Sequence, residues 1–343
     1  MMRQARSILI GITLIGGLLL GQYVEIPSIV SKVATSTANY LRLETGARAI
    51  GMGGTFTANG TGVTGIPYNP AALGYVQGME AYFSHTEYLA GITHNVIAYG
   101  VQLSGTDYFG LHLFWLDSGP MDVTNEGYPD GTGEKFNVSS KSMRFTYSRH
   151  MTDRLKLGVA LNYIRDDIYT VYMQGVAFDI GSNFTTGLYG FKLGMSVTNF
   201  GPQVQYVGEG LTQVVVDTVS PDGQLRKVTE KFSLPLTFRM GLANDIIGKE
   251  SIFIQSETHR LTVAVDGIKP NDYVMYGSVG LEYSYGEFAS IRLGEHINHD
   301  TMGLAAGVGI HVNMGTYALE VNAAYVSNSV IEPSQQFGLN LQF

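Results

Sequence analysis

The chain has 343 residues and a formal net charge of -8, with a pI near 5.5, which argues against a nucleic-acid partner. Its mean hydropathy of +0.07 is too polar for a bundle of membrane helices, whereas 43 glycines and 21 tyrosines are typical of a transmembrane β-barrel. Cysteine is absent, which excludes disulfides and cysteine-ligated metals and is compatible with export.

Residues 1–30 have the features of a secretory signal peptide. Arg3 and Arg6 precede an apolar core from Ser7 to Gly21, which is shorter than the roughly 20 residues that a spanning helix needs. No clean cleavage motif follows, so the cleavage site is placed only between residues 21 and 31. A permanent membrane anchor is the alternative interpretation.

Residues 31–78 predict a compact insert rich in glycine, with a short helix over residues 40–49. The run GARAIGMGG has neither the spacing nor the preceding apolar strand of a dinucleotide-binding loop. Glycine permits positive φ and close backbone approach, and an Asn-Pro pair favours a turn. The residues of this predicted plug motif are Gly46, Arg48, Gly51, Met52, Gly53, Gly54, Asn69, Pro70 and Ala71.

From residue 79 to 343 apolar and polar residues alternate in short runs, which predicts an all-β, antiparallel sheet. In LKLGVALNY, for example, Leu157, Val159 and Leu161 share one face, and Lys156 and Asn162 share the other. The candidate strands are 79–89, 92–103, 108–117, 141–150, 155–166, 171–182, 191–200, 236–244, 252–266, 273–285, 288–297, 302–312, 317–326 and 335–343. Fourteen strands of this length predict a transmembrane barrel in the bacterial outer membrane, in contact with its lipid.

The connections and the last strand favour this interpretation over a soluble β-sandwich or propeller. Alternate connections are short, whereas 118–140 and 201–235 fall on the opposite side, as in barrels with short periplasmic turns and long external loops. The final strand also ends on an aromatic residue, which is typical of barrels recognised by the insertion machinery. Its apolar face consists of Phe337, Leu339, Leu341 and Phe343.

Charged and chelating residues form no catalytic pattern, and no enzyme activity, cofactor or metal is expected. His296 and His299 lie three apart and are expected in a solvated loop rather than on a metal. The acidic residues Glu126, Asp130 and Glu134 lack the spacing of a calcium loop. Charges within strands are costly against lipid, so an inward orientation is predicted for Arg144, Lys156, Arg239 and Arg292.

Several motifs resemble the PorV/PorQ family of outer-membrane proteins, which is related to FadL-type transporters. They are SKVATSTANYLRLETGARAIGMGGTFTA, NPAALG, GVAFDIG, VTNFGPQVQYV, LPLTFRMGLA, HRLTVAVD and GLEYSYGEFASIRLG. The resemblance spans residues 31–343. Ala34 and Ala72 replace glycines that are frequent in the family, and both changes are small.

The resemblance implies a FadL-like barrel at residues 79–343 and an N-terminal plug at 31–78 that contains the Asn69-Pro70-Ala71 motif. It favours a role in type IX-like secretion, in which the barrel binds the C-terminal signal domains of secreted cargo proteins and contacts machinery subunits. The alternative is a FadL-like channel for long-chain fatty acids or other hydrophobic small molecules. The apolar residues Val214, Val215 and Val216 in a long loop slightly favour partner contact.

Overall fold

The computed structural model describes residues 35–214, 224–286, 288–329 and 332–343. Fourteen antiparallel strands form one closed barrel, because each strand pairs with the next and the last pairs with the first. The predicted fold class is therefore confirmed. The predicted signal peptide lies outside the described residues. The strands are β1 Met79–Leu89, β2 Ile92–Gln102, β3 Asp107–Asp117, β4 Val138–His150, β5 Leu155–Ile168, β6 Val171–Thr185, β7 Lys192–Phe200, β8 Thr237–Gly248, β9 His259–Pro270, β10 Tyr276–Tyr285, β11 Ala289–Ile297, β12 Met302–Asn313, β13 Ala318–Asn328 and β14 Ser334–Gln342.

Most strand boundaries agree with the predictions to within a few residues, but β9 does not. A strand was predicted at 252–266, whereas β9 begins at His259. Gly248 ends β8, and the chain then folds back so that Ile254 and Gln255 lie parallel to the end of that strand. The apolar run around Ile254 therefore belongs to a connection of residues 249–258 and not to the barrel wall.

The faces of the strands are inverted relative to a soluble protein. Along β5, Leu157, Val159 and Leu161 are exposed, whereas Lys156 and Asn162 are buried inside the barrel. An outward apolar band and an inward polar face are what a lipid-embedded barrel requires. The aromatic and aliphatic residues at this end of the chain follow the same rule, since Phe337 and Leu339 of β14 and the following Phe343 are exposed.

Two ends of the barrel are distinguished by their connections. The connections 118–137 and 201–236 lie at one end, which corresponds to the external side. Strand β1 begins and strand β14 ends at the other. Among the described residues, no helix is long and apolar enough to cross a membrane.

Residues 35–78 enter the barrel and form only short helices. The structure has a 3-10 helix at Asn39–Arg42 and an α-helix, α1, at Ala47–Gly51, so the single helix predicted over 40–49 is wrong. Gly46, with φ of 92°, separates the two, because positive φ stops a continuous helix. Further 3-10 turns follow at Val63–Gly65 and Pro70–Tyr75.

The backbone of this insert lies directly against the backbone of the wall at a set of inward-facing glycines. A methyl group at Gly294 would collide with Met52 and Gly53, and one at Gly158 would collide with Pro70 and Ala71. Glycine at these positions lets two backbones approach more closely than any side chain allows. The inward-facing glycines in contact with residues 51–71 include Gly100, Gly110, Gly158, Gly181, Gly194, Gly241, Gly280, Gly294 and Gly307.

We expect Gly294→Ala to force the insert away from the wall. Overpacking a dense contact costs about 1–3 kcal/mol, and here the obstacle is backbone that cannot rotate aside. The variant should unfold at lower denaturant concentration in detergent and conduct more current in planar bilayers than the wild type. Gly267→Ala is the matched control, since its methyl group would meet only ordinary contacts on the outward face. Equal behaviour of the two variants would contradict tight sealing at Gly294.

Candidate functional site

The inner half of the lumen is closed by an ion-pair network between the insert and the wall. Arg48 of α1 donates two hydrogen bonds to Glu282 of β10, both at 2.8 Å. Arg292 of β11 donates to the same carboxylate at 2.6 Å and to Asn322 at 2.6 Å, and it lies 3.3 Å from Glu320. The buried carboxylate of Glu282 thus has two guanidinium partners, which offsets its desolvation.

A second ion pair connects the insert to β11. Glu44 accepts a hydrogen bond from His296 at 3.0 Å, and both side chains are buried. Burial alone would raise the pKa of Glu44, but His296 and Arg239 more than offset burial and lower it. The predicted solvated loop for His296 is therefore wrong, because this residue lies inside the barrel on β11. His299 caps the following turn by accepting from the backbone amides of residues 301 and 302.

The Asn69-Pro70-Ala71 motif begins the last 3-10 helix of the insert. The Asn69 side chain accepts from the amide of Ala71 at 3.1 Å, which caps the helix, and Pro70 occupies its first position. The amide group of Asn69 donates to the carbonyl oxygens of Thr57 at 2.8 Å and Ser182 at 3.0 Å. One side chain therefore joins two parts of the insert and strand β6.

The other predicted plug residues also meet in the lumen. Gly51 packs against Gly307, and Gly53 packs against the backbone at Gly294. Met52 is completely buried and its sulfur accepts from Asn59. The strand charges that were predicted to point inward are all buried in the barrel, namely Arg144, Lys156, Arg239 and Arg292.

The outer half of the lumen contains a cluster of buried apolar side chains, here called the apolar chamber. Its interior is occupied by a segment of the chain itself. Residues 36–43, here called the outer segment, insert Tyr40 into it, with Leu41 and Leu43 packed at its edge. The chamber walls come from strands and from the external loop 201–236. They include Val96, Phe114, Ile164, Met173, Val204 and Leu234.

Polar contacts hold the outer segment to external connections. The Thr37 amide donates to Ser233 O at 3.1 Å, and the Thr37 hydroxyl lies 2.7 Å from that of Tyr206. Arg42 donates to Asp272 at 2.7 Å, and Ser36 donates to the same carboxylate. The Arg42 side chain keeps 26% of its exposure, so this ion pair is screened more than the one at Glu282.

Part of the long loop that was predicted to contact a protein partner covers the outer end of the lumen, and the partner contact stays a prediction. Val204 covers Gly175 of β6, and Leu234 is buried in the apolar chamber. Of the three valines proposed for partner contact, Val214 belongs to a short hairpin, Thr212–Val214 with Gln224–Arg226. Val215 and Val216 lie outside the described residues.

A cavity of about 680 Å³ opens at the inner end of the lumen, below the ion pairs. Arg48, Glu282 and Arg292 form part of its lining, and Arg260 and His311 are at its side. Within the described residues, no group of three or more acidic, histidine or cysteine residues is placed to hold a metal ion. The acidic residues Glu126, Asp130 and Glu134 are exposed in the external loop.

Sequence reasoning missed the residues that hold the insert. Glu282 lies on the polar face of an alternating strand, so its inward orientation was accessible from the pattern, but its pairing with Arg48, 234 positions away, was not. The same applies to Glu44 with His296. Tyr40 carried no signal at all, because a single aromatic residue in a polar lead has no periodicity.

Comparison with solved structures gives the fold a wider context. The CymD monoaromatic hydrocarbon channel aligns with a TM-score of 0.56 and 12% identity, over 87% of this chain and 97% of that one. The Ralstonia pickettii toluene transporter TbuX aligns with a TM-score of 0.54 and 13% identity, over 88% and 99%. A Pseudomonas aeruginosa FadL homologue gives 0.53 and 12%, over 87% and 98%. The chain has the FadL-like barrel fold.

At this identity the likeness establishes the fold and not the solute. A 14-stranded FadL-like barrel indicates the outer membrane, in agreement with the predicted location. No protein-family model matches the sequence, and no curated protein matches it. The PorV/PorQ resemblance is not specifically supported by these comparisons and stays a prediction.

We expect Glu282→Gln to destabilise the plugged state strongly. The amide keeps the shape of the side chain but leaves Arg48 and Arg292 without their shared carboxylate, and breaking a buried pair from one side costs about 3–5 kcal/mol. Denaturant unfolding in detergent measures the loss. Glu257→Gln is the matched control, because its pair with Lys249 is exposed and is worth less than about 1 kcal/mol. A similar small loss in both variants would contradict the role of Glu282.

Proposed function

We propose that the protein is a plugged outer-membrane channel for hydrophobic small molecules. The observation that carries this proposal is the apolar chamber in the outer half of the lumen, where buried hydrophobic side chains of the outer segment, the strands and the 201–236 loop pack together. Tyr40, Phe114 and Leu234 are buried there at 8%, 4% and 2% exposure. A concave apolar site with a few polar groups is the usual form of a small-molecule site. The FadL-like fold supports the same conclusion.

Passage through this chamber requires the outer segment to move. The barrel strands are held by continuous ladders on both sides, and residues 44–76 are clamped against the inward glycines. The outer segment has only a short 3-10 helix without a side-chain cap, and its polar contacts are with external connections. It is therefore the part of the lumen filling that can be displaced at the lowest cost.

The geometry of the described residues adds no support to the secretion hypothesis. It rests on the PorV/PorQ resemblance, which the comparisons do not specifically support, and the side chains of Val214, Val215 and Val216, which slightly favoured it, are not described. It stays a prediction whose own test is capture of cargo proteins that share a C-terminal β-domain.

The proposal is tested by uptake of labelled toluene and hexadecanoic acid in a bacterial host that lacks its own outer-membrane channels for hydrophobic solutes. A disulfide that holds the outer segment to the 201–236 loop provides the sharpest comparison. Ser36 and Ser233 are β-bridge partners, and the chain has no native cysteine that could form other disulfides. Bridge partners lie within the distance that a disulfide spans. We expect the variant with both Ser36→Cys and Ser233→Cys to lose most uptake when oxidised and to regain it on reduction.

Each single cysteine variant is the control and should transport like the wild type under both conditions. The amount of folded barrel is confirmed by its heat-modifiable electrophoretic mobility. If the wild type is folded but transports neither probe, the channel proposal is contradicted. Unchanged uptake in the oxidised double variant would place the route away from the outer segment.

A further inference from the structure

We propose that the position of the Tyr40 side chain is a solute subsite, and that it accepts a monoaromatic ring bearing one hydroxyl group. This inference rests on the proposed channel function and specifies its substrate class. In the closed state the chain's own tyrosine occupies the subsite, and a phenolic solute takes the same place when the outer segment moves.

The ring of Tyr40 is held as a flat aromatic ligand would be held. It stacks on Phe114 of β3 with ring centroids 5.7 Å apart and an interplanar angle of 13°. Phe114 in turn lies 5.2 Å from the ring of His94 on β2. Offset stacking of this kind contributes beyond simple burial and selects planar rings over flexible chains.

The hydroxyl of Tyr40 has its own acceptor. It donates to the backbone oxygen of Lys141 on β4 at 2.8 Å. Burial, and then the charge of Asp166, raises the pKa of Tyr40, so the hydroxyl stays protonated and acts as a donor. If an unsubstituted hydrocarbon displaced Tyr40, this buried carbonyl oxygen would lose that hydrogen bond.

Within the part of the chain that the structure describes, two buried nitrogen atoms at the same face lack a hydrogen-bond partner. His94 and His112 are each 1% exposed, and the Nδ1 atom of each lacks a hydrogen-bond partner among the described residues. His112 and Phe114 lie on the same inward face of β3, and His94 contacts the Phe114 ring. Buried polar atoms are normally paired, so these nitrogens point to a ligand with a polar group.

The local charges favour a neutral hydroxyl over a carboxylate. The nearby Asp166 accepts from Tyr206 at 3.2 Å and would repel an anionic solute. The neighbouring cation, Arg144, is already paired with Asp179 at 3.0 Å and with Asn199 at 3.2 Å. A phenol fits these surroundings, whereas a benzoate or a fatty-acid carboxylate does not.

Equilibrium dialysis of labelled 4-methylphenol, toluene and 4-methylbenzoate against the detergent-purified barrel tests the inference. Tyr40→Ala vacates the subsite, and we expect it to bind 4-methylphenol about twofold to tenfold more tightly than toluene, the range of one net hydrogen bond. It should bind 4-methylbenzoate most weakly. The wild type should bind 4-methylphenol more weakly than the variant, because the solute must displace Tyr40.

Two further variants serve as controls. Leu41→Ala shortens a neighbouring side chain of the outer segment without vacating the ring site and should gain less affinity for 4-methylphenol than Tyr40→Ala does. Tyr40→Phe keeps the ring in place and should gain no affinity for 4-methylphenol. If Tyr40→Ala yields no folded barrel, Tyr40→Leu replaces it with the same expected order of affinities.

Equal affinity of the vacated barrel for toluene and 4-methylphenol would overturn the inference, as would equal gains in Tyr40→Ala and Leu41→Ala. Its failure is separable from failure of the channel proposal. Uptake of toluene without any preference for the hydroxyl contradicts only the subsite. Selective binding of 4-methylphenol without uptake of any probe contradicts only the channel.

Discussion

The contact of two backbones inside the barrel is the constraint on which the rest of the structure depends. Where Met52 and Gly53 meet Gly294, and where Pro70 meets Gly158, no side chain fits between insert and wall. Such proximity leaves no layer of water, so polar groups at the contact depend on partners in the protein for their hydrogen bonds. The inward faces of several strands consequently carry glycines, which admit the insert, and polar side chains, some of which bind its backbone.

The ion pairs follow from this exclusion of water. A carboxylate such as Glu282 is costly to bury, and its two guanidinium partners compensate for that cost while orienting α1 through Arg48. Ser196 and Asp266 act in the same way on the insert backbone, since Ser196 donates to Tyr68 O at 2.6 Å and Asp266 accepts from the Thr57 amide at 2.9 Å. Because lipid covers the outside of the barrel, these polar residues have no alternative location.

How far the sequence predicts this molecule depends on whether a feature is periodic. Alternation in segments such as Leu157 to Leu161 repeats in every strand, so the number of strands and their faces were predictable. The start of β9 was not, because Ile254 continues an apolar run that only tertiary pairing removes from the wall. Pairings such as Glu44 with His296, 252 positions apart, depend on how the insert enters the lumen, and a single sequence holds no record of that path.

The N-terminal residues 36–76, which occupy the lumen, consist of two parts that are attached to the barrel with different strengths. Residues 44–76 are fixed by backbone contact and by buried ion pairs, whose disruption leaves uncompensated charges. The outer segment is fixed by a partly exposed pair at Arg42, by the hydrogen bond of Ser36 to the same carboxylate and by neutral hydrogen bonds, which contribute less. Displacing the first part therefore opens the whole lumen at high cost, whereas displacing the second exposes only an apolar chamber. In the proposed channel, this difference would keep the inner ion-pair network closed to ions when Tyr40 leaves and apolar solutes enter the chamber.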